Sequence, residues 1–207
     1  MNLKGSFKMR VKNKTVCGIG INDYDGSIKI DGRAIKSYKI WMAMLGRCYS
    51  TKDKKYHQYG AKGVKVCDEW LYFSNFKKWF DENYRYDLVE QGIKIALDKD
   101  LMSDGSKIYS PTTCIFLPER ANSFISTSEL HKNNTSGYIG VYWFKRDNKW
   151  KAQITKCDTG KVTHLGYFDN IEDAHKSYQS ARKIEVIKIK EYLKKLGYDE
   201  SIVSRIK

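Results

Sequence analysis

Two carboxylates spaced two residues apart carry the first chemical signal in this chain. Asp98 and Asp100 close the run Ile93-Lys94-Ile95-Ala96-Leu97-Asp98-Lys99-Asp100, which reads as a strand entering a polar loop. Residues i and i+2 of a strand share a face, so both carboxylates are expected to point the same way. The loop over residues 102–110 leads to a second strand, Cys114-Ile115-Phe116-Leu117. Pro118 then suits the first position of a short helix running from Glu119 to about Ile125, because its missing N–H costs nothing there. Glu119 and Asn122 sit in the first turns of that helix and would face the strand end. A carboxylate plus a helix side chain can hold one Mg2+ while leaving positions for water and phosphate oxygens. Beside a phosphodiester, such an ion would stabilise the leaving oxygen and the developing charge.

Zinc is not expected. Cys17, Cys48, Cys67, Cys114 and Cys157 contain no Cys-x-x-Cys pair, with or without His57 as a fourth ligand. The odd, scattered count argues against a disulfide framework, for buried free thiols, and for a reducing, cytoplasmic setting. Cys17-Gly18-Ile19-Gly20-Ile21 has glycine spacing without a following Lys-Ser/Thr or helix, so it reads as a strand rather than a phosphate loop.

The elements that must position these groups follow from periodicity. Residues 6–36 read as short strands, with Phe7-Lys8-Met9-Arg10-Val11 alternating and Asp25-Gly26 and Asp31-Gly32 as hairpin turns. Ile40, Trp41, Met44 and Leu45 place an amphipathic helix over residues 37–46. Val64 to Cys67 is a short strand. Asp68 then reads as the N-cap of a helix to about Tyr84, with Trp70, Phe73, Phe76, Trp79 and Phe80 as its core stripe. The polar stretch 127–136 marks a boundary.

Beyond it lie three strand-like segments, residues 137–145, 149–156 and 162–168, followed by a long helix capped by Asn170 with Asp173 three residues on. Ala174, Tyr178, Ala181 and Ile184 form the expected inner face of that helix. Outward positions on the strands carry Tyr142, Lys145, Arg146, Lys149, Lys151, Gln153 and Thr155. Inward positions carry Val141, Trp150, Ala152, Ile154 and Leu165, with Gly140 and Gly166 allowing close packing. Such a face can lie in the major groove of duplex DNA, its lysines and arginine on phosphates and Gln153 paired bidentately with adenine.

Composition agrees with a polyanionic partner. The 207 residues carry 38 Lys+Arg against 24 Asp+Glu, a net charge of +14. Residues 1–36 hold 8 basic and 3 acidic groups, residues 37–128 hold 14 and 11, and residues 129–207 hold 16 and 10, so both ends are basic relative to the middle. With 41% hydrophobic residues the chain can build a core. No run approaches 18 apolar residues and the N-terminus has no apolar h-region, so neither a membrane span nor a secretory signal is expected.

Two resemblances sharpen this reading. Leu97-Asp98-Lys99-Asp100, Tyr109-Ser110-Pro111-Thr112-Thr113-Cys114 and Asn122 resemble the ββα-metal finger of phage-type HNH endonucleases. Trp41 through Tyr49, Tyr59-Gly60, Val66-Cys67-Asp68-Glu69-Trp70 and Phe73 through Trp79 are similar to the lead-in of phage HNH-like homing endonucleases. The resemblance implies Asp98 as metal ligand, Asn122 in the helix position of the finger as its companion, and Mg2+ or Mn2+ as cofactor. Lys99 departs from the pattern, which has His as general base at that position. An ammonium must shed its proton to act as a base, which near neutral pH needs about 4–5 kcal/mol of differential destabilisation, and flanking carboxylates oppose it. Lys99 therefore reads as a phosphate contact, with His57, His131, Tyr109 or a metal-bound hydroxide as candidate base.

The second resemblance rests on Ser136 through Trp143, Lys149 through Ile154, Leu165-Gly166-Tyr167-Phe168, Glu172-Asp173-Ala174 and Tyr178. These resemble the APETALA/ethylene-response-factor type DNA-binding domain, which also accompanies phage HNH endonucleases.

The expectation is an α+β protein. It has a β extension (1–36), an HNH-like portion with helical lead-in (37–128), a three-stranded antiparallel sheet packed on a helix (133–190) and a basic helical tail (191–207). The expected activity is metal-dependent cleavage of double-stranded DNA, with a phage mobile-element role implied by resemblance. The alternative is a DNA-binding regulator that does not cut.

Overall fold

A computed structural model describes residues 15–126, 130 and 133–207. The strand expected at Phe7 to Val11, His131, and much of the stretch 127–136 lie outside the described residues. The chain divides into two compact units. The first lies within Met1–Tyr84 plus Gly105–Thr113, and the second comprises Arg85–Asp104 and Cys114–Lys207. Among the described residues, no helix is long and apolar enough to cross a membrane.

In the first unit, β1 (Lys29–Ile30) and β2 (Arg33–Ala34) form a hairpin. Its turn residues Asp31 and Gly32 both have positive φ, 50° and 74°, as the Asp-Gly pair predicts for a primed turn. Cys17 and Gly18, also at positive φ, close a tight turn that brings Val16 opposite Gly20. The expected strand there is thus mostly a turn. Helix α1 (Lys36–Tyr49) buries Trp41, Met44, Leu45 and Cys48 on one stripe, as the periodicity predicted.

Strand β3 (Lys65–Val66) follows, and then the expected single helix splits. Asp68–Leu71 is a 3-10 turn, Tyr72 is extended, and α2 (Phe73–Asn83) starts afresh. The cause is backbone pairing: Ile21 N–H donates to Leu71 O, and Phe73 N–H donates to Ile21 O. Those bonds hold Tyr72 open where helical bonds would otherwise form. The aromatic stripe still makes the core, with Trp70, Phe73, Phe76 and Phe80 buried and Trp79 half-buried. The Trp41 indole N–H donates to Trp70 O at 2.6 Å, fixing α1 to the 3-10 turn.

The second unit begins with α3 (Tyr86–Glu90) and β4 (Ile95–Asp98). Between β4 and its partner, the loop expected over residues 102–110 contains β5 (Ile108–Tyr109), which pairs in parallel with β3 in the first unit's sheet. Strand β6 (Ile115–Pro118) then returns antiparallel to β4, and α4 (Glu119–Ser126) packs on both.

A three-stranded antiparallel sheet follows, in the order β7 (Val141–Phe144), β8 (Lys149–Thr155) and β9 (Val162–Phe168). Helix α5 (Ile171–Lys195) crosses its inner face, capped as expected by Asn170, whose Oδ1 accepts the Asp173 N–H at 2.8 Å. The sheet–helix core is Val141, Ala152, Ile154, Ala174 and Tyr178, with Trp150, Leu165 and Ala181 packed beside it. Gly140 has φ 72°, and a Cβ there would lie 2.3 Å from the Tyr178 ring, so the close approach needs glycine.

Ile184 departs from expectation. It is 54% exposed, whereas Glu185 is fully buried, and the buried stripe continues through Ile189 and Leu193. The residues expected to form a basic tail are packed too. After α6 (Glu200–Val203), Val203 and Ile206 are buried, the Tyr198 hydroxyl donates to Phe116 O at 2.8 Å, and Arg205 pairs with Asp104 at 2.7 Å. Through α5 and these contacts β4, β6 and α4 share one unit with the three-stranded sheet.

Candidate nucleic-acid interface and the Asp98 turn

The outer face of the β7–β8–β9 sheet is built by strict alternation. Trp150, Ala152 and Ile154 of β8 turn to the core, so Lys149, Lys151, Gln153 and Thr155 turn outward. Registry sets their neighbours. Tyr142 and Tyr167 flank Lys151, Phe144 lies opposite Lys149, and His164 lies opposite Gln153. One extra residue in β9 between His164 and Gly166 sits at a bulge, which keeps His164 and Tyr167 on the outer face.

The Lys151 ammonium lies 5.5 Å from the Tyr142 ring centroid, 5.6 Å from Phe144 and 5.9 Å from Tyr167. Cation–π attraction holds the lysine upright over the face. A side-chain hydrogen bond to Tyr142 raises its pKa, keeping it charged. The Tyr142 hydroxyl donates in turn to Gln153 Oε1 at 3.1 Å. Lys149 is neutralised in part by Asp169 at 2.9 Å. Lys145 and Arg146 lie exposed in the β7–β8 turn rather than on a strand, Arg146 paired with Asp147 at 2.8 Å. Phe144, His164 and Tyr167 belong to this face but were absent from the sequence-derived set. Alternation from the inward Val141 and Leu165 could have found Phe144 in β7 and His164 in β9, whereas Tyr167 reaches this face only through the bulge.

The acidic constellation is arranged differently from expectation. The two carboxylates do not share a face: Asp98 is 5% exposed, whereas the Asp100 side chain is 66% exposed. The strand ends at Asp98, whose Oδ2 accepts the N–H groups of Asp100 at 3.0 Å and Leu101 at 2.8 Å. That turn ends the two-residue period and folds Lys99 inward, where it is 7% exposed and its ammonium pairs with Asp100. Lys99 is therefore not presented as a phosphate contact. Burial raises the Asp98 pKa, helped by the Asp100 charge, against the opposing pull of the two amides and Lys99.

Asn122 is half-buried on α4, and Glu119 is exposed at its start. His57 and Tyr109 belong to the first unit. His57 is exposed in the 3-10 turn Tyr56–Gln58, and Tyr109 is buried beside Tyr59.

One oxygen of Asp98 is spent on two amides, and Asp100 is engaged by an ammonium. Among the described residues no group of three His, Cys, Asp or Glu side chains gathers as metal ligands would. All five cysteines are free thiols, with Cys48, Cys114 and Cys157 buried. Cys157 is pushed up to about 11 by burial and by its contact with Glu185.

Comparison with family models, with curated proteins and with solved structures finds no match to this chain.

Proposed function

We propose that this chain binds double-stranded DNA through the outer face of the β7–β8–β9 sheet. The observation that carries the reading is Lys151, held among Tyr142, Phe144 and Tyr167 on a sheet face whose opposite side packs against α5. A two- or three-stranded ribbon of this width enters the major groove, where a central lysine meets phosphate or base edge and the aromatic rims stack on sugars and methyl groups. Lys145 and Arg146 at the turn supply flanking phosphate contacts, and the net charge of +14 favours a polyanion.

Metal-dependent endonuclease activity is a second reading, favoured by the order β4, β6, α4 with Asp98 at the strand end. In that reading Asp98 and Asn122 would hold the ion, although Asp98 Oδ2 now accepts two amides and Asp100 pairs with Lys99.

The test incubates the full chain with random-sequence and plasmid DNA, with and without Mg2+ or Mn2+. Retention of duplex DNA that Lys151→Ala weakens supports the binding reading, and an unretarded duplex at low salt rejects it. Nicking that Asp98→Ala abolishes while binding persists would establish the nuclease.

A further inference from the structure

The first unit holds a guanidinium that no carboxylate neutralises. Arg47 stands in the last turn of α1 and is half-buried. Its guanidinium carbon lies 5.2 Å from the Tyr59 ring centroid and 4.9 Å from that of Tyr109. The two rings lie 27° from parallel with centroids 6.4 Å apart. Tyr59 closes the 3-10 turn Tyr56–Gln58, and Tyr109 ends β5, which β3 holds in register. Cation–π attraction to both rings therefore pins the guanidinium between separate short elements. Among the described residues no carboxylate pairs with it, and its Nε is buried without a hydrogen-bond partner. An arginine held this way has lost its side-chain freedom and kept its charge unspent, which suits its remaining donors to an oxoanion.

The chain that follows α1 indicates which oxoanion. Residues 52–65 carry Lys52, Lys54, Lys55, Lys62 and Lys65, all exposed, with His57 also exposed, against one acid. That acid, Asp53, is half-buried and its Oδ1 accepts the Lys55 N–H at 2.8 Å. Among the described residues none of the five lysines is in an ion pair. Lys107 of the same unit donates to Lys62 O at 3.1 Å and ties the 3-10 turn Gly60–Lys62 to the chain entering β5. A single carboxylate would need the guanidinium alone. A run of unpaired lysines beside it fits an anion that repeats, as a phosphodiester backbone does. We propose that Arg47 and the segment 52–65 form a second nucleic-acid contact, in which the Arg47 guanidinium holds a backbone phosphate of duplex DNA and the exposed lysines neutralise its neighbours. This surface belongs to the first unit and does not rest on Lys151, which belongs to the second. Like other phosphate contacts it supplies affinity and carries no sequence information.

The experiment measures fluorescence anisotropy of a labelled random-sequence duplex with the full chain across a range of salt, in the wild-type and Lys151→Ala backgrounds. The variants are Arg47→Gln, Arg47→Lys, Lys62→Gln and Lys78→Gln, the last removing one exposed charge from α2. Circular dichroism melting identifies the variants that fold. Arg47→Gln is expected to bind about tenfold more weakly at low salt, with the slope of log affinity against log salt falling by about 1. Arg47→Lys keeps the charge but not the planar fork, so it should keep the slope and lie between wild type and Arg47→Gln in affinity. Lys62→Gln should lower the slope as well, and it decides the matter if Arg47→Gln does not fold. A slope unchanged in both backgrounds for a folded Arg47→Gln, or for Lys62→Gln in its place, would overturn the proposal. So would an equal loss in Lys78→Gln, which marks bulk charge rather than a site. A loss in Arg47→Gln with none in Lys151→Ala rejects the sheet face and leaves this surface standing, and the reverse rejects this surface alone.

Discussion

Asp98 and Glu185 are both buried carboxylates in the second unit, yet burial acts on them with opposite outcomes. Burial raises the Asp98 pKa, and two amide donors do not offset it. Glu185 is fully buried, which alone would push it up, but the Cys157 N–H and thiol, Lys188 and Lys156 hold it down to about 2. The linkage signs follow. Asp98 contributes stability below its ordinary range that is lost as pH rises through its raised value. Glu185 contributes stability above its ordinary 4.5 that is lost as pH falls toward 2. Asp98→Asn, which keeps an acceptor for the two amides, is therefore expected to match or exceed wild type in melting temperature at neutral pH. Asp98→Ala should lose about 1–3 kcal/mol in urea titration. For Glu185→Gln, the deficit relative to wild type is expected to be largest near neutral pH and to shrink in melts between pH 4.5 and 2. A deficit that grows on acidification would contradict this assignment.

Among the elements, Gly140 governs how the three-stranded sheet meets its helix. A methyl group there would meet the Tyr178 ring and Gln153 O, at a φ that disfavours any side chain. Gly140→Ala is expected to cost at least about 2 kcal/mol, read as a lowered urea midpoint with unchanged slope. This sheet was the most legible part of the chain, because period-two alternation over seven residues of β8 names both faces at once. The long helix was half legible. Ala174 and Tyr178 mark its inner stripe, but the stripe drifts by the 3.6-residue repeat to Glu185 rather than Ile184. A glutamate among lysines reads as a solvated position unless that spacing is carried forward strictly. Strand β5 was illegible. Ile108 and Tyr109 are two residues in a polar loop, and their strand character comes from Lys65 and Val66 more than forty residues away. The split at Tyr72 was hidden for the same reason, since it depends on the backbone of Ile21. In the candidate site, Lys151 and Gln153 were visible from alternation. The burial of Asp98 was not, because whether a carboxylate after a strand points to solvent or caps its own turn is decided by the next two peptide groups.

Across the whole molecule, charge and packing divide the work. The net charge of +14 sets a strong salt dependence for any nucleic-acid binding without specifying where the partner lies. The slope of log affinity against log salt is expected to fall by about 1 in Lys151→Ala. Fluorescence anisotropy on a labelled duplex would measure it, and an unchanged slope would remove Lys151 from the phosphate contacts. Helix α5 carries residues of the sheet core at its start and, through Arg182 on Phe124 and Tyr192 against Arg120, residues packed on α4 farther along. The residues that follow it are part of the same packing, since Tyr198, Val203 and Ile206 are buried.

Because Ile108 and Tyr109 supply the edge that Lys65 and Val66 pair with, the amino-terminal unit stays unfinished during synthesis until those residues leave the ribosome. By then the flanking segments 85–104 have already emerged and await partners not yet translated. A growing chain halted near residue 84 would thus leave Lys65 and Val66 as an unpaired strand edge, the kind of intermediate that recruits chaperones.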